Sequence, residues 1–288
     1  MKKIMYSVIL IIAAAILSAP ILSSNVHAAG ISIDAGLTPP QKRWIFRSQV
    51  RFMQRTNDPT PMGREMKMYM FPAVVAYGLR PDLTLMVRQA AGRSEMLMNG
   101  NSDSQSGLAD LFVLAKFRMS RINTASYTIG MAPTIGLEMP TGQDGFTSDS
   151  WDPHLGYFIS GRSGPWGLDL NALYVWNGMA KTGDSDSEPG DEFSLDAAFA
   201  YQYGFGDDAE YAFAPVVELS YKKINSNSIN DIIVENTGES FFQLSPGFKF
   251  TRSSFIVESL LQLPVWQDQE GIQTERDIGF LVGLRFMY

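Results

Sequence analysis

Cysteine is missing from all 288 residues, so no disulfide can staple the fold and no thiolate can hold a metal. The absence fits an oxidising compartment without requiring one. Histidine is scarce as well, with only His27 and His154. That excludes a histidine-based metal cluster and would force any catalytic triad onto a single imidazole. A surplus of positive charge is also lacking: the formal charge is -7, which argues against a nucleic-acid partner. Finally, the chain lacks the apolar excess that helical membrane spans demand, with 45% hydrophobic residues and a mean hydropathy of -0.05. A membrane β-barrel survives that last exclusion. Its strands show lipid only every second residue, so the average comes out neutral.

What is present points the same way. The final stretch puts Ile278, Phe280, Val282, Leu284, Phe286 and Tyr288 on one face of an extended strand, with Asp277, Gly279, Gly283 and Arg285 on the other beside Leu281 and Met287. A period of two is a strand period. Ending on an aromatic residue, this stretch resembles the C-terminal β-signal of bacterial outer-membrane barrels. The resemblance implies that Phe280, Val282, Leu284, Phe286 and Tyr288 form the signal read by the barrel-assembly machinery. At the other end, Lys2 and Lys3 precede an apolar run from Ile4 to Leu22, which gives way to Val26-His27-Ala28-Ala29. This is the order of a secretory signal peptide, residues 1–28, cut after Ala28. Residues 29–42 are expected as a short periplasmic segment and 43–288 as the barrel.

Alternation returns between Arg43 and Arg55, with Trp44, Phe46, Val50 and Phe52 opposed to Arg47, Gln49, Arg51 and Arg55. An arginine facing lipid near the midplane costs about 2–4 kcal/mol, so Arg47 and Arg51 there would cost roughly 4–8 kcal/mol together. They must face the lumen. Further strands are expected at Lys67 to Gly78, Leu83 to Arg93, Leu108 to Met119, Ser126 to Met139, His154 to Ser160, Trp166 to Asn177, Glu192 to Tyr203, Tyr211 to Lys222, Phe241 to Phe250 and Phe255 to Trp266. With the first and last these make an all-β, antiparallel up-and-down transmembrane barrel of about twelve strands, most near the ~9–11 residues that cross a bilayer at a tilt. Short links alternate with long polar ones along the chain, as periplasmic turns alternate with outer loops in such barrels.

The same register points Arg47, Arg51, Arg55, Arg88, Asp110, Lys116, Arg118, Glu138, Glu218, Lys222, Glu258 and Arg285 inward as pore-lining residues, with Asp169, Asp196 and Lys249. Charges in such number must pair across the interior or line water. Two readings follow: a salt-bridged plug that only stabilises the barrel, or a narrow polar conduit whose constriction is a ladder of Arg47, Arg51 and Arg55. A twelve-stranded outer-membrane phospholipase would carry a serine two residues beyond its histidine, but position 156 is Gly, so no catalytic residue is assigned. The acidic stretch from Asp184 to Glu192 has Pro189 where a calcium loop needs glycine. It reads as a solvated outer loop, and the sequence leaves open a bridge to lipopolysaccharide through divalent ions. No cofactor and no protein-bound metal are expected.

Gly107 to Arg118, reading G-L-A-D-L-F-V-L-A-K-F-R, resembles the G-x-G-D-x-x-x-x-x-K-Y-R strand of a bacterial family known as MetA-pathway of phenol degradation. Pro140-Thr141-Gly142 is similar to that family's P-T-G strand end, and Tyr77-Gly78-Leu79 to its Y-G-L turn entry. Ala109 and Phe117 stand where the family usually has Gly and Tyr. The resemblance implies an outer-membrane barrel of a Gram-negative bacterium that passes small apolar or aromatic compounds. The expected function is therefore a channel or facilitator for small-molecule solutes, seated among outer-membrane lipid and lipopolysaccharide; a non-transporting structural or surface-binding barrel is the alternative.

Overall fold

The computed structural model describes residues 29–182, 185–206 and 210–288. The expected signal peptide, 1–28, and Asp184 of the acidic stretch lie outside them. Twelve antiparallel strands form the wall: β1 (Trp44–Thr56), β2 (Glu65–Arg80), β3 (Leu83–Met98), β4 (Leu111–Phe117), β5 (Thr128–Met139), β6 (Asp152–Ser163), β7 (Trp166–Val175), β8 (Glu192–Tyr201), β9 (Tyr211–Ile224), β10 (Glu239–Arg252), β11 (Phe255–Gln269) and β12 (Gly279–Met287). Each pairs with the next, and β1 pairs with β12, so the sheet closes. Closure leaves no unpaired wall edge, as hydrocarbon demands. The seam extends past the last strand, where the Trp44 N–H donates to the Tyr288 carbonyl at 2.8 Å and the Tyr288 N–H to that of Trp44 at 2.9 Å.

Alternation along each strand decides which side chains face out. On β12, Phe280, Val282, Leu284 and Phe286 are exposed while Gly279, Leu281, Gly283 and Arg285 are buried. Leaving those four outward side chains in water would cost about 1.5–3 kcal/mol each, so the wall calls for an apolar medium. Aromatic pairs mark its ends. Trp44 packs on Tyr77 with ring centroids 4.3 Å apart at one, and Tyr174 on Trp176 at 4.6 Å at the other.

Three sequence expectations change. The strand placed from Leu108 to Met119 is broken at Ala109 and Asp110; Asn101–Leu108 instead folds back along β3 through a tight turn at Asn99 and Gly100, both with positive φ. The break frees Asp110 to turn toward a loop. Two stretches expected as solvated loops pair with each other beyond the wall, where Ala180–Thr182, Ser185–Glu188, Ser228–Ile229 and Ile232–Ile233 form a small four-stranded sheet. The third change matters most: the segment from Ala29 to Pro40, placed in the periplasm from the sequence, runs into the lumen.

The occluded lumen as candidate functional site

The segment enters from the mouth at which the short links lie, where the Lys42 N–H donates to the Gly78 carbonyl at 2.7 Å. Inside, it is held mostly by its own backbone, because a chain without secondary structure must find partners for its buried amides. The Ala29 and Gly30 N–H groups donate to Asp169 Oδ2 on β7 at 2.7 and 2.9 Å. The Ile31 and Ser32 N–H groups donate to Glu218 Oε1 on β9 at 2.5 and 3.0 Å, and the Ser32 hydroxyl donates to the same carboxylate. Gly36 N–H donates to Ser160 Oγ on β6 at 2.8 Å. Carbonyls are gripped by cations: Lys249 Nζ donates to Ala29 O at 2.9 Å, Arg47 to Ile31 O at 3.1 Å and Lys116 to Ala35 O at 2.7 Å. Gly36 lies so close to the wall that a β-carbon would stand 2.5 Å from the Phe158 carbonyl oxygen.

The charges beneath the segment are tightly paired. Arg285 meets Glu258 at 2.9 Å, with side chains 8% and 0% exposed, and Glu258 also accepts from Gln49 Nε2 at 2.8 Å. Arg162 meets Asp169 at 2.6 Å, and Ser160 Oγ donates to the same oxygen at 2.5 Å. The three arginines of β1 do not act as one ladder. Arg47 faces Asp34 of the segment at 3.8 Å, and Arg55 pairs with Glu239 at 2.5 Å. Between them Arg51 forks onto Gln49 Oε1 through Nε at 3.0 Å and Nη2 at 2.7 Å. Among the described residues it has no carboxylate at ion-pair distance.

Toward the opposite mouth, that of the long loops, the pairs are wetter. Arg88 meets Glu138 at 3.1 Å and stacks over Phe112, 4.5 Å from the ring centroid; Lys222 meets Glu192 at 2.5 Å. His154 packs its ring against Phe112 at 4.6 Å, and its Nδ1 has no hydrogen-bond partner among the described residues. Asp110, expected along the pore, is occupied elsewhere. Its carboxylate accepts from the Thr141, Gly142 and Ser148 N–H groups at 2.9, 2.7 and 2.7 Å, with the Thr147 and Ser148 hydroxyls alongside. This knot folds the loop between β5 and β6 against the inner face of β3, so close that a β-carbon on Gly92 would stand 2.2 Å from the Phe146 ring. Arg118 lies beyond the end of β4, where its N–H closes a turn on Asp82 O at 2.7 Å, so it stands at the mouth and not along the path. The β-signal residues Phe280, Val282, Leu284, Phe286 and Tyr288 all face outward.

Open space remains on both sides of the segment. On the side of the short links a cavity of about 580 Å³ has apolar walls from Leu37, Ile45, Val74, Met86 and Leu114, with Arg47, Lys116 and Arg285 among its charges. Near the opposite end of the wall a smaller one, about 230 Å³, is lined by Met53, Met66, Met68 and Pro264 beside Arg55 and Arg276. Methionine is unbranched and polarisable, and so suits a surface that must fit varied apolar shapes.

A closed twelve-stranded wall, a strand carrying Lys116 and a Pro-Thr-Gly strand end knotted to Asp110 are now in one place. The family's sequence model matches residues 69–256. The chain belongs to the family described as MetA-pathway of phenol degradation. Among solved structures the fold is similar to an outer membrane channel from Pseudomonas putida F1, with a TM-score of 0.70 and 13% identity over 90% of this chain and 100% of that one. It is also similar to the beta domain of the Bordetella autotransporter Brka, with a TM-score of 0.50 and 9% identity over 86% of this chain and 100% of that one. At such identities the likeness is one of fold. No curated protein matches the chain in sequence.

Several residues that build this site escaped sequence reasoning. Arg162 belonged to a presumed turn, yet it shares the parity of His154 and Ser160 and continues their inward face. Glu239 falls at the end of an expected loop and Arg276 between the last loop and the terminal strand; extending β10 by two residues brings Glu239 inside with Phe241. Asp34 carried no signal, since nothing local says that an unstructured segment enters a barrel.

Proposed function

We propose that this barrel sits in the outer membrane of a Gram-negative bacterium, with both ends of its wall on the periplasmic side, and passes small molecules, hydrophobic or aromatic ones among them. The observation that carries the reading is the pair of partly apolar cavities separated by the Ala29 to Pro40 segment. A polypeptide layer held by hydrogen bonds is easier to displace than a strand of the wall. Around it, Arg47, Arg51, Arg162, Arg285, Lys116 and Lys249 outnumber Asp34, Asp169, Glu218 and Glu258, so the path favours anionic or polarisable solutes over cations.

Arg51 is the residue at which this preference acts, because its charge is not spent on a carboxylate. Arg51→Gln should shift the ion selectivity of the protein in planar bilayers toward cations. It orphans no acid and leaves only Gln49 Oε1 underused, so the stability cost is about 1–3 kcal/mol. Unchanged selectivity alongside measurable conductance would remove Arg51 from the path. A second reading, the non-transporting structural barrel, is favoured by the dense pairing around Glu258 and Asp169. It would be established by wild-type protein that neither conducts nor lets any of a panel of small aromatic and aliphatic solutes into proteoliposomes.

A further inference from the structure

The occluding segment is anchored at its first described residue by a carboxylate set apart for it. Asp169 is fully buried, and its two oxygens are divided. Oδ1 takes the Ser160 hydroxyl at 2.5 Å and Arg162 Nη2 at 2.6 Å. Oδ2 takes the Ala29 nitrogen at 2.7 Å and the Gly30 nitrogen at 2.9 Å. Arg162 is itself shared, because its Nη1 donates to the Gly161 and Leu168 carbonyls at 2.7 and 2.8 Å. The other polar atom of Ala29, its carbonyl oxygen, accepts from Lys249 Nζ at 2.9 Å. One alanine is thus held at both polar atoms by opposite charges, and it is the residue that the sequence places first after the leader.

We propose that Asp169, with Ser160 and Arg162, is a receptor for the processed amino terminus of this same chain, so that removal of the leader after Ala28 is what docks the segment in the lumen. The proposal rests on that cleavage. A signal peptidase adds water across the Ala28–Ala29 bond: the Ala28 carbonyl carbon takes the hydroxyl and the Ala29 nitrogen takes the hydrogen. The new acid and amine then ionise, and the amine becomes an ammonium. Before the cut, Ala29 offers Asp169 Oδ2 one neutral N–H. Afterwards it offers a full positive charge and three protons at the same place, and hydrogen bonds between charged groups are roughly twice as strong as neutral ones. Ser160 carries the effect along the segment, since its hydroxyl donates to Asp169 and accepts from Gly36 N–H.

The test uses the full-length protein extracted from outer membranes. Its amino-terminal residue should be Ala29. The α-amine should resist an amine-reactive ester at neutral pH in the folded barrel and react after denaturation. A chain with Gly-Ser inserted between Ala28 and Ala29 keeps every wall residue but moves the ammonium away from Asp169. Its segment should be digested by protease about tenfold faster than that of wild type, the change expected when a charged partner is replaced by a neutral one. Asp169→Asn should give the same acceleration, and adding it to the extended chain should add little. If Asp169→Asn does not assemble, the extended chain alone decides. A first residue other than Ala29, a freely reactive α-amine in the folded barrel, or an extended chain as protected as wild type overturns the proposal. None of these readouts depends on whether the barrel conducts.

Discussion

Replacing Arg285 with Gln should cost the barrel several times more stability than replacing Arg88 with Gln, although each change takes one guanidinium from one carboxylate. The pairs have nearly the same length, 2.9 Å for Arg285 with Glu258 and 3.1 Å for Arg88 with Glu138. What differs is access to water. Glu258 is 0% exposed and keeps Gln49 as a neutral donor once Arg285 is gone, with Lys249 opposite it on β10, whereas the Arg88 and Glu138 side chains are 41% and 26% exposed. Breaking a buried pair costs about 3–5 kcal/mol because the surviving charge is left without compensation. A solvated pair contributes about 0–1 kcal/mol, to which the stacking of Arg88 on Phe112 adds roughly 0.5–1 kcal/mol. Urea titration of the protein folded into lipid vesicles would measure both losses against a total stability of about 5–15 kcal/mol. Adding Glu258→Gln to Arg285→Gln should recover most of the loss, because the stranded charge disappears with its partner. Equal losses from the two single variants, or no recovery in the double variant, would refute the argument that desolvation governs this lumen.

Gly36→Ala should loosen the segment without harming the wall, because the new β-carbon would meet the Phe158 carbonyl at 2.5 Å; the check is a higher conductance with an unchanged shift between boiled and unboiled protein on a detergent gel. Tyr288→Asp should lower the amount of assembled protein in the outer membrane, since it puts a charge on the outward face beside the Trp44 seam, and normal levels would contradict the assembly-signal reading. In the long loop after β1, the Arg64 guanidinium holds the Asp58 carboxyl well below the usual carboxylate range. Because the folded value is depressed, this contact stabilises the loop fully above the unfolded value of about 3.9, and its contribution is lost progressively as the pH falls from there through the lower folded one. Amide exchange at Thr60 and Arg64, corrected for intrinsic rates, should therefore be as slow at pH 5 as at pH 7 and about tenfold faster at pH 3, where the opened loop already binds the proton; equal rates at pH 3 and pH 7 would refute the pairing.

The amino-acid sequence by itself determines the wall. Period-two alternation, charges that cannot face lipid and loops sorted by length follow from local chemistry, so twelve strands and the inward side of Arg47, Glu218, Glu258 and Arg285 are legible residue by residue. Partners are a different matter. Which acid meets Arg55, why Arg51 has none, and what turns Asp110 away from the pore depend on strand register around a closed ring and on a loop folded inward, and neither leaves a local trace. The segment from Ala29 to Pro40 is the extreme case. It has no periodicity of its own, and its place in the lumen is decided by buried groups contributed from across the barrel. Asp169, Glu218 and Lys249 lie more than a hundred residues away in the chain and each binds its backbone amides or carbonyls.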